Sequence, residues 1–256
     1  MSTSSPLLGV NGVTVKFGGI VALDGISYDI EPGQIVGLIG PNGAGKTTCF
    51  NCLSRLYEPT EGRIVFQGSD LLACEPRHVA RLGIGRTFQN VALFMTMTVL
   101  ENVLLGAHCQ ARTGFLGNAL RLRSVGREER TQLDVVTELI HFLGLDAVAH
   151  VPVSGLPFAI QKRVETARAL ASSPKLLLLD EPAGGLNHEE VAALTELIRT
   201  IRDKRGVTVL LVEHHMNLVM SVSDKVVVLD FGKKIAEGTP GQVQKDPAVI
   251  KAYLGE

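Results

Sequence analysis

Several features that decide the class of a protein are scarce or absent in this sequence. The formal net charge is only −1, so no overall positive field indicates nucleic acid as a partner. No apolar run approaches the roughly 18 residues that a membrane-spanning helix needs. The first residues, MSTSSPLLG, hold no basic segment and no long apolar core, so no secretory signal is expected. These absences predict a cytoplasmic protein whose contact with a membrane runs through partners.

Cysteine is also scarce, with four residues in the chain. Cys49 and Cys52 form C-x-x-C, a pattern of redox sites and zinc half-sites. A zinc site needs two further ligands, and Cys74 and Cys109 are isolated. Because Cys49 and Cys52 fall in a predicted helix that packs on a sheet, we interpret them as small buried residues.

Several catalytic motifs are missing as well. No G-x-G-x-x-G follows a strand, no H-E-x-x-H is present, and no H-R-D loop accompanies Asp230-Phe231-Gly232. These absences exclude a Rossmann site, a zincin and a kinase. No internal repeat is present, and 256 residues suffice for one large α/β domain or two small ones.

The most informative stretch that is present runs from Gly37 to Phe50. Within it, residues 40–47 match the phosphate-loop pattern G-x-x-x-x-G-K-[ST] at every fixed position. A buried strand is predicted before the loop, at Gln34 to Ile39, and a helix after it, at Lys46 to Tyr57, stopped by Pro59. Strand, glycine loop and helix form the context that this motif requires.

The residue types of the loop suit a nucleoside triphosphate. Gly43 and Gly45 let successive backbone N–H groups turn inward around a phosphate, where a Cβ would obstruct. The helix N-terminus at Lys46 adds unpaired N–H groups and a favourable dipole. We expect Lys46 to reach the β- and γ-phosphates and the Thr47 hydroxyl to bind Mg²⁺.

A second acidic motif lies downstream, at Lys175 to Pro182. Four consecutive leucines followed by Asp180 and Glu181 predict a core parallel strand with carboxylates at its C-terminal end. Asp180 fits a carboxylate that holds Mg²⁺ through water. Glu181 faces the other way and is placed to accept a proton from an attacking water.

Two other side chains are candidates for the same site. His214 follows a buried strand at Val207 to Val212, where a histidine can sense the γ-phosphate. Phe17 precedes a turn at Gly18-Gly19 and is either a core residue or an aromatic that stacks on adenine.

The remaining pattern alternates strands and helices. Leu7 to Ile30 predicts two antiparallel strands. Helix signals include an Asn187 cap with Gly206 as the stop. The basic segment Thr113 to Arg130 is either a solvated face or a contact for lipid headgroups or a partner. Further predicted strands are 62–68, 226–229 and 234–236, and further predicted helices are 77–82, 99–110, 128–143 and 161–171.

This ordered set resembles the ATP-binding cassette (ABC) ATPases over essentially the whole chain. The resemblance implies an α/β fold with a P-loop NTPase (RecA-like) core, an N-terminal antiparallel β subdomain and a helical subdomain. It implies one ABC ATPase domain at 7–240, with the helical subdomain inserted at about 90–155, and a helical tail at 241–256. The implied cofactors are ATP and Mg²⁺.

The resemblance also assigns roles to residues. It implies Glu181, His214 and Gln89 as catalytic residues, with His214 as the switch histidine and Gln89 as the residue that connects Mg²⁺ to a membrane subunit. The implied magnesium ligands are Thr47, Gln89 and, through water, Asp180. The implied nucleotide-binding residues are Phe17, Gly40, Pro41, Asn42, Gly43, Ala44, Gly45, Lys46, Thr47, Thr48 and Asp180.

A narrower resemblance is to the first ATPase subunit of branched-chain amino-acid or amide/urea importers. It rests on the insert at 113–130, on Glu213-His214-His215-Met216 and on the ending 246–255. It implies transmembrane permease subunits and a second ABC ATPase as partners, and a solute-binding protein indirectly, with no nucleic acid. It places the protein on the inner face of the plasma membrane.

One departure from the family pattern stands out. The signature L-S-G-G-Q aligns with Leu156-Pro157-Phe158-Ala159-Ile160, so the serine, both glycines and the glutamine are missing. In the family this segment binds the γ-phosphate held by the opposite subunit. We therefore expect a weak site wherever this chain supplies the signature, which favours a heterodimer over a homodimer. The other interpretation is that import cassettes of this type bind the γ-phosphate mainly through the backbone and the dipole of the signature helix, and therefore tolerate the change.

Two competing functions are also compatible with the sequence. They are the ATPase of a lipid or polysaccharide exporter and a nucleotide-binding scaffold with little turnover. ABC proteins of DNA repair or translation need a coiled-coil insertion or tandem cassettes, and the sequence contains neither.

Overall fold

The computed structural model describes residues 5–110 and 123–254. The chain divides into two compact units: unit 1 comprises Met1–Val79 and Leu176–Glu256, and unit 2 comprises Ala80–Lys175. The predicted helical subdomain at about 90–155 lies within the bounds of unit 2, and its limits stay a prediction. The part of the basic segment up to residue 122 lies outside the described residues.

The secondary structure alternates along the chain. The strands are β1 (Leu8–Phe17), β2 (Ile20–Ile30), β3 (Ile35–Ile39), β4 (Glu61–Phe66), β5 (Ser69–Asp70), β6 (Ile84–Arg86), β7 (Leu176–Asp180), β8 (Thr208–Val212), β9 (Lys225–Asp230) and β10 (Lys233–Gly238). The α-helices are α1 (Lys46–Leu53), α2 (Val79–Leu82), α3 (Val99–Ala107), α4 (Arg123–Phe142), α5 (Phe158–Leu170), α6 (His188–Arg205), α7 (Met216–Val222), α8 (Pro240–Val243) and α9 (Pro247–Leu254). Among the described residues, every helix is too short or too polar to span a bilayer.

An antiparallel sheet forms the N-terminal part of unit 1. Its strand order is β2-β1-β4-β5, with Leu8 paired to Ile30 and Phe17 paired to Ile20. Burial alternates residue by residue along the second half of β2, from Ile26 to Ile30, as a sheet with one buried face requires. The predicted strand pair with its turn at Gly18-Gly19 is confirmed.

A second sheet positions the candidate site. Its strands within unit 1 lie in the order β10-β9-β3-β8-β7, and β9, β3, β8 and β7 run parallel. Every residue of β3, β7 and β8 is buried, which explains their continuous apolar runs. Parallel strands end at one edge, so Gly40, Asp180 and Glu213 come to the same edge of this sheet.

Helix ends follow local chemistry, and the end of α1 departs from the prediction. The prediction that α1 continues to Tyr57 is wrong, because the Asn51 carbonyl accepts the N–H groups of Leu56 and Tyr57 and closes a turn. Arg55, with φ +59°, reverses the chain there. The capping box at Asn187 is confirmed, as is the stop at Gly206.

The two cysteines of α1 are buried, as predicted. The Tyr28 hydroxyl and the Cys49 sulfur lie 3.2 Å apart in this core. Burial raises the pKa of the Cys49 thiol to about 11 and that of the Cys52 thiol to about 12. Reactivity requires the thiolate, so these residues act as packing groups.

Unit 2 is built on close contact between α3 and α5. A Cβ on Gly106 of α3 would lie 2.0 Å from the Arg168 carbonyl oxygen of α5, so only glycine allows this approach. Helix α5 begins at Phe158, earlier than the predicted Gln161, because Pro157 fits the N-cap position and needs no N–H there.

Candidate nucleotide-binding site

The phosphate loop connects β3 to α1 in a backbone conformation that requires glycine. Gly45 is left-handed, with φ +99°, at the N-cap of α1. A Cβ there would lie 2.6 Å from the Ala22 carbonyl oxygen. A Cβ on Gly40 would lie 2.1 Å from the Leu229 carbonyl oxygen. Neighbouring backbone thus surrounds the loop, and these two glycines of the motif are sterically obligatory.

Lys46 folds back over its own loop. The Lys46 ammonium donates to the carbonyl oxygens of Gly40, at 2.7 Å, and Pro41, at 2.9 Å. Burial lowers the pKa of Lys46, while the charge of Glu181 acts in the opposite direction. The ammonium therefore lies within the loop, close to a carboxylate at the end of β7.

The groups around the loop suit a triphosphate with Mg²⁺. The N-cap residue of α1 is Gly45, which has no side chain to cap the helix, Thr47 is exposed beside it, and Asp180 is buried at the end of β7. In the described ranges no cluster of three His, Cys, Asp or Glu side chains could hold a metal by itself. Mg²⁺ in such sites takes few protein ligands and completes its shell with phosphate and water oxygens.

Glu181 and His214 are in direct contact. The His214 Nε2 and Glu181 Oε1 atoms are 2.5 Å apart, although the residues belong to different strand ends. Glu181 has φ +47°, an unusual backbone conformation for a residue other than glycine. The Glu181 N–H donates to the Val212 carbonyl, which fixes this turn to β8. The structure thus places in contact two residues that were predicted as site residues from two different motifs.

Phe17 lies at the end of β1 with a little under half of its surface exposed. Tyr57 packs against it edge to face, with ring centroids 5.1 Å apart. Such a contact fixes one side of the Phe17 ring. The sequence analysis named Tyr57 only as the end of a predicted helix, and its aromatic side chain four positions after α1 was the only signal of this contact.

Gln89 lies in unit 2, on a loop at residues 88–92. Charged side chains of α5 form hydrogen bonds to the backbone of this loop. Lys162 donates to the Gln89 carbonyl at 3.1 Å, and Arg168 donates to the Ala92 carbonyl at 2.5 Å. Between them, Glu165 accepts the N–H groups of Phe88, at 3.1 Å, and Ala92, at 3.4 Å. We call Lys162, Glu165 and Arg168 the α5 clamp.

Glu165 is expected to stabilise this loop in a pH-dependent way. Burial raises its pKa above the ordinary 4.5, although the N–H groups of Phe88 and Ala92 act in the opposite direction. Because the folded pKa is raised, the contribution of this titration to stability is complete at low pH and is lost as pH rises through the folded value. Glu165→Ala leaves two partly buried N–H groups without their acceptor and is expected to cost about 2 kcal/mol.

Urea denaturation at several pH values measures this effect. Glu165→Gln keeps an acceptor oxygen and is the matched variant. It is expected to retain more stability than Glu165→Ala and to gain relative to the parent as pH rises from about 4 to about 8. Equal stability of all three proteins at every pH would show that Glu165 does not hold the loop.

The signature segment forms the start of α5. Pro157 is the N-cap and provides no side-chain cap. Phe158 is 45% exposed, and the Lys162 ammonium lies 5.6 Å from its ring centre. No hydroxyl or amide side chain stands at 157–160, where the family pattern has serine and glutamine.

Comparison with known proteins identifies the family. The family model described as "ABC transporter" matches residues 23–184. The chain belongs to the ABC transporter family. A second model, "Branched-chain amino acid ATP-binding cassette transporter", matches residues 233–256 of this ABC protein.

Curated relatives cover nearly the full length of this ABC protein. It is 44% identical over 253 residues to the high-affinity branched-chain amino acid transport ATP-binding protein LivG of Escherichia coli (strain K12), with 99% of each chain covered. It is 44% identical, with the same coverage, to the protein BraF of Pseudomonas aeruginosa, which has the same description. The ADP conformation of an ATP-binding cassette of an ABC transporter matches with TM-score 0.85 and 31% identity, covering 99% of this chain and 100% of that one.

The family membership confirms the predicted fold class and the predicted cofactors, ATP and Mg²⁺. The roles of individual residues stay predictions. Glu213 was named in the sequence analysis only as part of the narrower resemblance and not as a site residue, although it is buried and stands next to His214. A charged residue directly after the apolar run of a buried strand was the signal that could have identified its role.

Proposed function

We propose that this protein is the ATP-binding and ATP-hydrolysing subunit that powers solute import through an ABC transporter, with branched-chain amino acids or related amides as the solutes. The similarity to LivG along the full length of both chains is the observation that supports this function most strongly. The match of residues 233–256 to a branched-chain amino acid cassette model supports the same solute class independently of the phosphate loop.

In this proposal the loop and its neighbours bind MgATP. Backbone N–H groups of residues 42–48 surround the phosphates, and Lys46 exchanges its carbonyl partners for the β- and γ-phosphates. Phe17 stacks on adenine. Thr47 and Asp180, the latter through water, would hold Mg²⁺, which supplies positive charge against the developing charge on the phosphates. Gln89 is a further proposed Mg²⁺ ligand, as the family resemblance implies.

The proposed catalytic step uses Glu181 as the general base. Its carboxylate accepts a proton from the water that attacks the γ-phosphorus, and the bond to the leaving oxygen of ADP breaks. His214 contacts the Glu181 carboxylate at 2.5 Å and fixes its position. A base held in place by a second side chain is the arrangement that proton abstraction at a bound substrate needs.

The proposed partners are those of an importer. Transmembrane permease subunits hold the protein at the inner face of the plasma membrane, and a solute-binding protein delivers the solute to them. A second, different cassette is the proposed dimer partner. Pro157 and Ile160 cannot supply the donors of the usual signature, so a site completed by this segment is expected to turn over slowly.

The altered signature also favours one alternative function. A chain that completes only weak sites could act as a nucleotide-binding scaffold beside an active partner. The contact between Glu181 and His214 argues against it, because a scaffold has no use for a positioned base.

Nucleotide binding provides the first test of the proposed function. Lys46→Ala removes the loop's only lysine and is expected to lower ATP affinity about tenfold or more, because a charge-assisted contact to phosphate is worth roughly 1.5–3 kcal/mol. Titration with a fluorescent ATP analogue in the presence of Mg²⁺ measures this affinity, and Lys204→Ala, at an exposed position in the last turn of α6, is the control. If Lys46→Ala binds like the parent, ATP does not occupy this loop.

Solute transport provides the second test of the proposed function. Proteoliposomes that contain the permeases, a second cassette and this subunit should take up leucine or valine with ATP. Uptake of none of the branched-chain amino acids or short amides would overturn the solute class.

A further inference from the structure

Glu213 occupies an unusual position at the end of β8. The residue is 1% exposed, although it carries a carboxyl group. It follows Val212 directly and precedes His214, at the edge of the sheet where Gly40 and Asp180 also lie. A buried carboxyl is costly unless its oxygens accept hydrogen bonds, so its partners show what it does.

The partners of Glu213 are backbone N–H groups from two different segments. Its Oε1 accepts the Ala183 N–H at 2.6 Å. Its Oε2 accepts the N–H groups of His214, at 2.9 Å, and His215, at 3.1 Å. One side chain therefore joins the turn after β7 to the turn after β8.

These two turns carry the two groups that contact each other at the catalytic position. Glu181 lies two residues before Ala183, and His214 directly follows Glu213. The direct Glu181–His214 contact is a single, partly exposed interaction between side chains. Glu213, in contrast, is buried and its carboxylate accepts hydrogen bonds from the backbone. These bonds fix the position of the backbone from which the Glu181 and His214 side chains extend.

We propose that Glu213 is a positioning residue for ATP hydrolysis: its carboxylate holds the backbone of Ala183 and of the His214 turn at a fixed separation, and thereby sets the Glu181–His214 pair. This inference deepens the proposed function and rests on it. Glu213 touches neither the nucleotide-binding loop nor Lys46 through these bonds, so it acts on turnover and not on ATP affinity.

The shape of the carboxylate explains why an amide cannot replace it. The side chain of glutamine has one acceptor oxygen. If this oxygen accepts the N–H of one turn, the NH₂ group faces the N–H donor of the other turn and cannot bond to it. Glu213→Gln therefore releases either Ala183 or the histidine turn while keeping the volume of the side chain. A displacement of about 1 Å at a reacting group can lower a rate up to about 100-fold.

Steady-state ATPase kinetics and nucleotide binding test the proposal on the full chain, alone and with its partner cassette. Glu213→Gln is expected to lower kcat about 10- to 100-fold and to leave the Kd for ATP within about twofold of the parent. Glu101→Gln is the matched control, because Glu101 also accepts a backbone N–H, that of Thr98 at 2.8 Å, in unit 2. It is expected to keep the parental kcat.

A double-mutant comparison separates positioning from general stability. In a His214→Ala background, Glu213→Gln is expected to lower kcat much less than it does in the parent, because both changes act through the same pair. A parental kcat in Glu213→Gln would overturn the proposal. So would equal loss with and without His214, or a Kd for ATP that rises as much as kcat falls. A parent that hydrolyses no ATP even with its partner cassette would instead overturn the proposed function.

Discussion

Glu181→Gln is expected to lower ATP hydrolysis about 10²- to 10⁴-fold while ATP binding persists. The general-base contribution to a proton transfer has this magnitude, and the amide cannot accept the proton from water. The change is nearly isosteric, so the turn at φ +47° and its N–H bond to Val212 should remain. Phosphate release under saturating MgATP, with parallel measurement of bound nucleotide, gives both values.

Glu189→Gln is the control for this prediction. Glu189 is an exposed residue in the first turn of α6, so its replacement makes the same chemical change away from the Glu181–His214 contact. It is expected to hydrolyse ATP at the parental rate. Turnover of Glu181→Gln within about threefold of the parent would exclude Glu181 as the base and leave the mechanism above without one.

Restoring the signature is expected to produce the second large effect, a gain of ATPase activity in the isolated chain. Leu156 is already present, so the four changes Pro157→Ser, Phe158→Gly, Ala159→Gly and Ile160→Gln recreate L-S-G-G-Q. Each preorganised donor to a developing charge contributes about 10²–10³ in rate. We expect turnover to rise at least about 100-fold if self-association brings this segment to a second copy's ATP.

The same changes combined with Glu181→Gln provide the control, because a real gain must disappear when the base is removed. The parental chain mixed with a candidate partner cassette gives the complementary result. Turnover in the mixture should depend on Glu181 of this chain if the partner supplies an intact signature. High turnover by the parental chain alone would show that Pro157 to Ile160 suffices as it stands.

The sequence specified the parts of this molecule that depend on local chemistry. The glycine spacing of the phosphate loop, the leucine run of β7 and the cap at Asn187 each predict structure because the cause lies within a few residues. The predicted end of α1 at Tyr57 was wrong, since the competing turn at Asn51 uses a carbonyl that carries no sequence signal.

Long-range contacts to the backbone were the features that the sequence could not predict. Glu213 contacts Ala183, 30 positions away, and the bonds described for it go to N–H groups that any residue except proline has. The α5 clamp is similar, because its spacing predicts one helix face but not the loop that this face holds. Gln89 was identified by its family position alone.

The α5 clamp has a consequence for how this chain can diverge over evolution. Lys162, Glu165 and Arg168 contact only main-chain atoms of residues 88–92 in these bonds. Side chains of the loop can therefore be exchanged without loss of its attachment, provided that Phe88 and Ala92 are not replaced by proline. Related chains can thus adapt the loop's outer surface to a new neighbour while the three charged residues of the helix stay constant.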